Sequence, residues 1–121
     1  MRDPQAAGDL FAPLAREPVE VLAFVYLGVE QQVLGMRHVR SRHRDRLDLP
    51  IRAIAADALA FDATALVMAH NHPSGDPTPS EADREATRRL ARALDPLGVQ
   101  LLDHLVVAAR GITSFRSLGF L

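Results

Sequence analysis

Apolar residues fall along this chain in two rhythms, and the change from one to the other marks its elements. "VEVLAFVYLG" at 19–28 is almost continuously apolar and rich in β-branched and aromatic residues. It predicts a buried strand, with "QQVLGMRHV" at 31–39 as its hairpin partner after a short turn. "DLPIRAIAADALAF" at 48–61 instead places Ile51, Ile54, Ala55, Ala58 and Leu59 at helical spacing, with Asp48 and Pro50 as start signals. "ATALVMA" at 63–69 returns to a short run that is apolar on every side, as a central strand covered on both faces requires. A second helix begins after the loop that follows: Thr78 suits the N-cap, Pro79 the first helical position, and Glu81 the third, which completes a capping box. That helix presents Ala82, Ala86, Leu90, Ala93 and Leu94 inward and Arg84, Arg88 and Arg92 outward, and it stops near Asp95 at Pro96 and Gly98. "VQLLDHLVVAA" at 99–109 is a further strand, and "GITSFRSLGFL" closes the chain.

Strands mixed with two helices predict an α/β domain, a mixed β-sheet flanked by helices. Residues 1–18 lack periodicity and read as an N-terminal tail that packs only in part; the ordered domain is expected over 19–121. At 121 residues and 48% hydrophobic content, the chain supports one core.

Charge adds little at first. Fourteen basic against fifteen acidic residues leave a net charge of −1, so no global field argues for nucleic acid or an anionic membrane. The exception is local: "RSRHRDR" at 40–46 carries Arg40, Arg42, Arg44 and Arg46. It reads as a solvated segment, with phosphate or acidic-protein contact as the alternative, and it lacks the interleaved aromatics that base stacking uses. His38 and His43 sit beside these arginines and read as solvated. No apolar run reaches membrane-spanning length, and the N-terminal segment has prolines and charges where a secretory signal needs an apolar stretch. A cytoplasmic location is expected. The absence of cysteine removes disulfides, thiolate nucleophiles and Cys-based zinc sites, so any metal must sit on histidine and carboxylate.

The stretch "AHNHPSGDPTPSEAD" at 69–83 supplies both. Residues at i and i+2 of an extended segment point the same way, so His70 and His72 reach one point at the strand's carboxyl end. "PSGDP" then reverses the chain and returns Asp83, at the border of the buried helix face, as a third ligand. Two imidazoles, a carboxylate and an open position make a catalytic zinc sphere, although manganese, iron or nickel accept the same donors. Hydrolysis also needs a base outside the metal's own ligands and an oxyanion donor. Glu20, a charge opening an apolar strand, and Ser80, one helical turn before Asp83, are the candidates. Glu17 competes with Glu20: alternation puts it on the opposite face, but Pro18 interrupts the local path. His104, in "LDHLVV", reads as a satisfied core histidine, with a partner of a metal ligand as the alternative.

Glu, then His-x-His, seven residues, Ser, two residues and Asp resembles the JAMM (JAB1/MPN+) metalloprotease motif. His70, His72, Ser80 and Asp83 match its spacing position for position. The wording of 69–83, with "LLDHLVV" and a terminal "SF..LGFL", is similar to the bacterial RadC branch of that family over roughly 19–121. The resemblance implies a JAB/MPN architecture related to the cytidine-deaminase-like fold, zinc on His70, His72 and Asp83, Glu20 as base, and Ser80 steadying the tetrahedral intermediate. It implies hydrolysis of a peptide or isopeptide bond in a protein or peptide substrate. RadC-like chains usually carry a helix-hairpin-helix region ahead of this domain, which residues 1–18 are too few to hold, and "MRHVRSRHRDRLDLPIRA" at 36–53 departs from the branch's usual wording. Two rivals stand beside the hydrolase: a DNA-repair-associated factor that binds or processes nucleic acid, and a metal-binding scaffold without turnover. The consecutive letters "HNH" are not the nuclease motif, whose residues are dispersed. A deaminase would need H-x-E with P-C-x-x-C, and H-E-x-x-H is absent. The sequence leaves the oligomeric state open.

Overall fold

A computed structural model describes residues 4–40 and 49–121 of the chain. Its elements run α1 (Pro4–Phe11), a 3₁₀ turn (Ala12–Arg16), β1 (Val21–Leu27), β2 (Val33–Arg40), α2 (Ile51–Ala60), β3 (Ala65–Asn71), α3 (Glu81–Leu94), a second 3₁₀ turn (Asp95–Leu97), β4 (Gln100–Ala108) and β5 (Gly111–Ser114). The strands form one sheet in the order β2-β1-β3-β4-β5. Among the described residues only the β3–β4 pair is parallel; α3 makes the long crossover that a parallel pair needs, while the other neighbours pair antiparallel. The fold class is therefore the expected mixed α/β sheet with helices on its faces.

Every residue of β1 and β3 is buried, and the two faces of the sheet explain why. Leu22, Phe24, Tyr26, Leu66 and Met68 pack under α2 and α3 against Ile54, Ala58, Ala86, Leu90 and Leu94. The alternate residues, Val21, Ala23, Val25, Leu27, Val67 and Ala69, pack on the other face with Phe11 and Leu14. Covered on both sides, these strands lose the polar alternation of a half-exposed strand. Tyr26 and Arg37 both reach Asp57, so one carboxylate ties β1 and β2 to α2.

Two expectations change. Within the segment read as a tail packing only in part, the described residues form α1 and the first 3₁₀ turn, and Ala7, Phe11 and Leu14 are buried. Its apolar spacing is sparse because it covers only one patch of the sheet. The second helix does not begin at Thr78. Its N-cap is Ser80, whose hydroxyl accepts from the Asp83 amide, and Asp83, not Glu81, closes the capping box on the Ser80 amide. Thr78 is committed elsewhere: its amide and hydroxyl both donate to Asp76 Oδ1, which holds the turn. Where two hydroxyl residues flank a proline, either can cap, and the competing Asx-type turn decided between them. On the helix itself, Ala82 and Ala93 are half-buried, whereas Asp83 and Thr87 are buried. Leu59 of α2 is largely exposed. Among the described residues no helix is long and apolar enough to cross a membrane.

Candidate metal centre

The carboxyl end of β3 carries His70 onto the α2/α3 face, as alternation from Leu66 and Met68 demands. His72 lies one residue beyond the strand, its amide still donating to the Val107 carbonyl at 2.9 Å. The intervening turn closes on itself through the Gly75 amide on the His72 carbonyl, with Gly75 at φ +90°, a conformation that favours glycine. α3 then starts beneath the two imidazoles. His70 Nε2 lies 3.2 Å from Asp83 Oδ1, His72 Nε2 lies 3.1 Å from Asp83 Oδ2, and the two Nε2 atoms are 3.0 Å apart.

Glu20 reaches the same point from β1. Leu22 pairs with His70, so the antiparallel register extended by two residues sets Glu20 opposite His72. One ligand atom each of Glu20, His70 and His72 lies within 4.8 Å of the others. Glu17 does not join them; its carboxylate faces Arg40 at 3.9 Å. What holds Glu20 in place is Asn71, the residue between the histidines. Fully buried and pointing to the opposite face, it accepts from the Val21 amide at 2.6 Å and donates to the Glu17 and Val19 carbonyls at 3.2 and 2.8 Å.

The electrostatics follow from this crowding. Burial alone would raise the Asp83 carboxyl, but hydrogen bonding with His70, His72 and the Ser80 amide holds it well below the usual carboxylate range. The Asp83 contact raises the His72 pKa against the opposing effect of burial. Burial raises Glu20, with the two imidazoles pulling the other way. His72 Nδ1–H donates to the Asp76 carbonyl at 2.9 Å, which leaves its Nε2 facing the centre. Two ring nitrogens and a carboxylate crowded at 3.0 to 3.2 Å repel unless a proton or a metal cation sits among them. Ligands at ~2.0–2.1 Å in a tetrahedral zinc site are themselves about 3.3 Å apart, so both the donor set and its spacing fit that ion.

Ser80 is placed by its cap: its hydroxyl oxygen accepts from the Asp83 amide, and its own proton is left to donate. His104 meets both readings: it is fully buried with both ring nitrogens hydrogen-bonded, and its Nε2 lies 2.7 Å from His70 Nδ1, so it is also a partner of a candidate ligand. Burial keeps it neutral, its pKa well below the ordinary histidine value. Thr87 and Asn71, on which the sequence reading was silent, complete the surroundings. A polar residue on the buried stripe of α3 was the available signal for Thr87.

Of the basic run, Arg42, His43, Arg44 and Arg46 lie outside the described residues. Arg40 pairs with Glu17 and lines a cleft of about 590 Å³ with Pro13, Leu14, Val21 and His38. This cleft lies beside the first 3₁₀ turn and not at His70 and His72.

A family model described as "RadC-like JAB domain" matches residues 1–120, so the likeness begins well before residue 19. A UPF0758 protein of Symbiobacterium thermophilum is 40% identical over 120 residues, covering 98% of this chain and 51% of the relative. A UPF0758 protein of Neisseria meningitidis serogroup C is 38% identical over 122 residues, covering all of this chain and 54% of its own, and one of Xanthomonas axonopodis pv. citri is 34% identical over the same span. The chain thus spans about half the length of the curated relatives it matches. With its motif on the mixed sheet that the JAB/MPN architecture requires, this chain belongs to the RadC-like JAB domain family.

Proposed function

We propose that this domain is a zinc-dependent hydrolase of the JAMM type, acting on a peptide or isopeptide carbonyl. The observation that carries the reading is the meeting of His70 Nε2, His72 Nε2 and the Asp83 carboxylate within 3.2 Å, with Glu20 beside them. When bound, zinc supplies a Lewis acid that lowers the pKa of water and polarises a carbonyl. His70, His72 and Asp83 hold it. Glu20 takes a proton from the attacking water and later delivers it to the leaving amine. Burial raises its pKa, which makes it a stronger base than an exposed glutamate. Ser80 donates its hydroxyl proton to the developing oxyanion; the Asp83 amide fixes the oxygen that carries it.

Elemental analysis of the purified chain beside His72→Ala, followed by a peptide and isopeptide panel with Glu20→Gln, tests this. One zinc per chain, lost in His72→Ala, and hydrolysis abolished in Glu20→Gln with metal retained are the expected results. Absence of stoichiometric metal from the unmutated chain would refute the site. Metal without turnover on any substrate would favour a scaffold, and activity surviving Glu20→Gln would refute the base.

A further inference from the structure

Behind His70 lies a chain of three hydrogen bonds whose directions are fixed by its far end. Thr87 Oγ1 is 2.7 Å from the Asp83 carbonyl oxygen and 2.6 Å from His104 Nδ1. A carbonyl has no proton to give, and two oxygens that close repel without one between them, so the single hydroxyl proton of Thr87 goes to Asp83. Thr87 can then only accept from His104, which places the His104 proton on Nδ1. A neutral imidazole has one proton, so His104 Nε2 is bare, and it faces His70 Nδ1 at 2.7 Å. Two bare nitrogens cannot share that distance; the proton between them belongs to His70 Nδ1. While His70 is neutral, its Nε2 therefore keeps the lone pair, on the side that faces His72 and Asp83.

We propose that Thr87 and His104 are positioning residues that lock His70 into the one tautomer able to ligate a metal through Nε2. The proposal deepens the zinc reading above and rests on it for its consequence, though not for the tautomer itself. The packing supports a fixed relay. His104 is stacked on Phe115 with ring centroids 4.3 Å apart and 25° between planes, and its ring also meets His70 at 4.8 Å. Phe115 is itself held: its amide donates to the His104 carbonyl, and Asp103 accepts from the Ser114 hydroxyl and the Arg116 amide on either side of it. The register does the rest. His104 neighbours Met68 across the parallel pair, which puts it on the same sheet face as His70 and under α3, where Thr87 is buried. A ligating histidine commonly donates its second nitrogen to a carboxylate or carbonyl. A neutral imidazole in that place fixes the tautomer without adding negative charge beside the metal.

If Thr87 lost its hydroxyl, His104 Nδ1–H would face no acceptor, and His104 would be free to move its proton to Nε2. His70 would then have to accept at Nδ1 and carry its proton on Nε2, which blocks ligation. The direct readout is the ¹⁵N signature of the imidazole nitrogens in the metal-free full chain: His70 protonated at Nδ1, and His104 protonated at Nδ1 and bare at Nε2. Zinc affinity, measured by competition with a chromogenic chelator, should fall about 10- to 100-fold in Thr87→Val, the range typical for losing an outer partner of a metal ligand. Thr87→Ser should restore it. His104→Gln, whose amide oxygen can still accept from His70, should retain more affinity than His104→Leu. A bare Nδ1 on His70 in the unmutated chain, or a folded Thr87→Val with unchanged zinc affinity, overturns the proposal. The tautomer decides it even where a variant fails to fold. A chain that takes no zinc but shows the stated tautomers sinks the hydrolase reading alone.

Discussion

Replacing Asn71 by alanine removes a clamp that holds three backbone groups at once. The Val21 amide loses its acceptor, and the Glu17 and Val19 carbonyls lose their donor. A buried amide left without a partner costs about 1–3 kcal/mol, and each lost hydrogen bond to a carbonyl that water can reach costs roughly 0.5–1 kcal/mol. The expected loss is thus about 2–5 kcal/mol. Asn71→Asp should be at least as damaging, because a carboxylate can accept from Val21 but opposes both carbonyls. Urea denaturation gives the stability difference, with an unchanged m value showing that the unfolded state is not the cause. Amide exchange at Val21 should accelerate in parallel. Because Glu20 sits within this clamped segment, turnover by an active enzyme should fall more than zinc affinity does. A variant within about 0.5 kcal/mol of the unmutated chain, with the Val21 amide still protected, would refute the reasoning.

Asp57→Asn breaks the tie between β1, β2 and α2. The Asp57 carboxyl is held low chiefly by the Arg37 hydrogen bond, so its stabilisation is present above the unfolded value of about 3.9 and lost as pH falls through the folded value. The variant should lose about 1–2 kcal/mol at neutral pH, a modest figure because Arg37 is partly exposed, and its acid-denaturation curve should be flatter below about pH 4. Ser80→Ala should cost about 1 kcal/mol as a lost helix cap, and Ser80→Gly only a few tenths. If the hydroxyl serves the oxyanion, both variants lower kcat by about 10²- to 10³-fold, which thermal denaturation beside turnover assays separates from capping. Leu90→Ala, at a fully buried position of α3, should cost about 2–5 kcal/mol by chemical denaturation while metal stoichiometry is retained.

Strands β1 to β4 and both long helices were legible in the sequence because their apolar spacing records which sides are covered, and two-sided burial left β1 and β3 without polar interruptions. His70, His72, Ser80 and Asp83 were legible for a related reason. They lie within fourteen consecutive positions, where strand alternation and one turn of helix are enough to set their directions. Local competition was harder to read. Thr78 and Ser80 both suit an N-cap, and only the Asp76 turn and the backward reach of Asp83 chose between them. The first eighteen residues read as a tail packing only in part because α1 covers a single patch and needs few apolar positions to do so.

What tertiary structure alone decided lies at long separations. His104 is 34 residues from His70, and Asn71 is 50 from Val21. That Glu20 and not Glu17 faces the histidines depends on the β1–β3 register; a slip of one residue would turn Glu20 to the other face. A sequence specifies faces and turns through neighbours three or four residues apart. The direction of a proton on His70 is set instead by a hydroxyl on another helix, through a histidine on another strand, and no local pattern encodes that meeting.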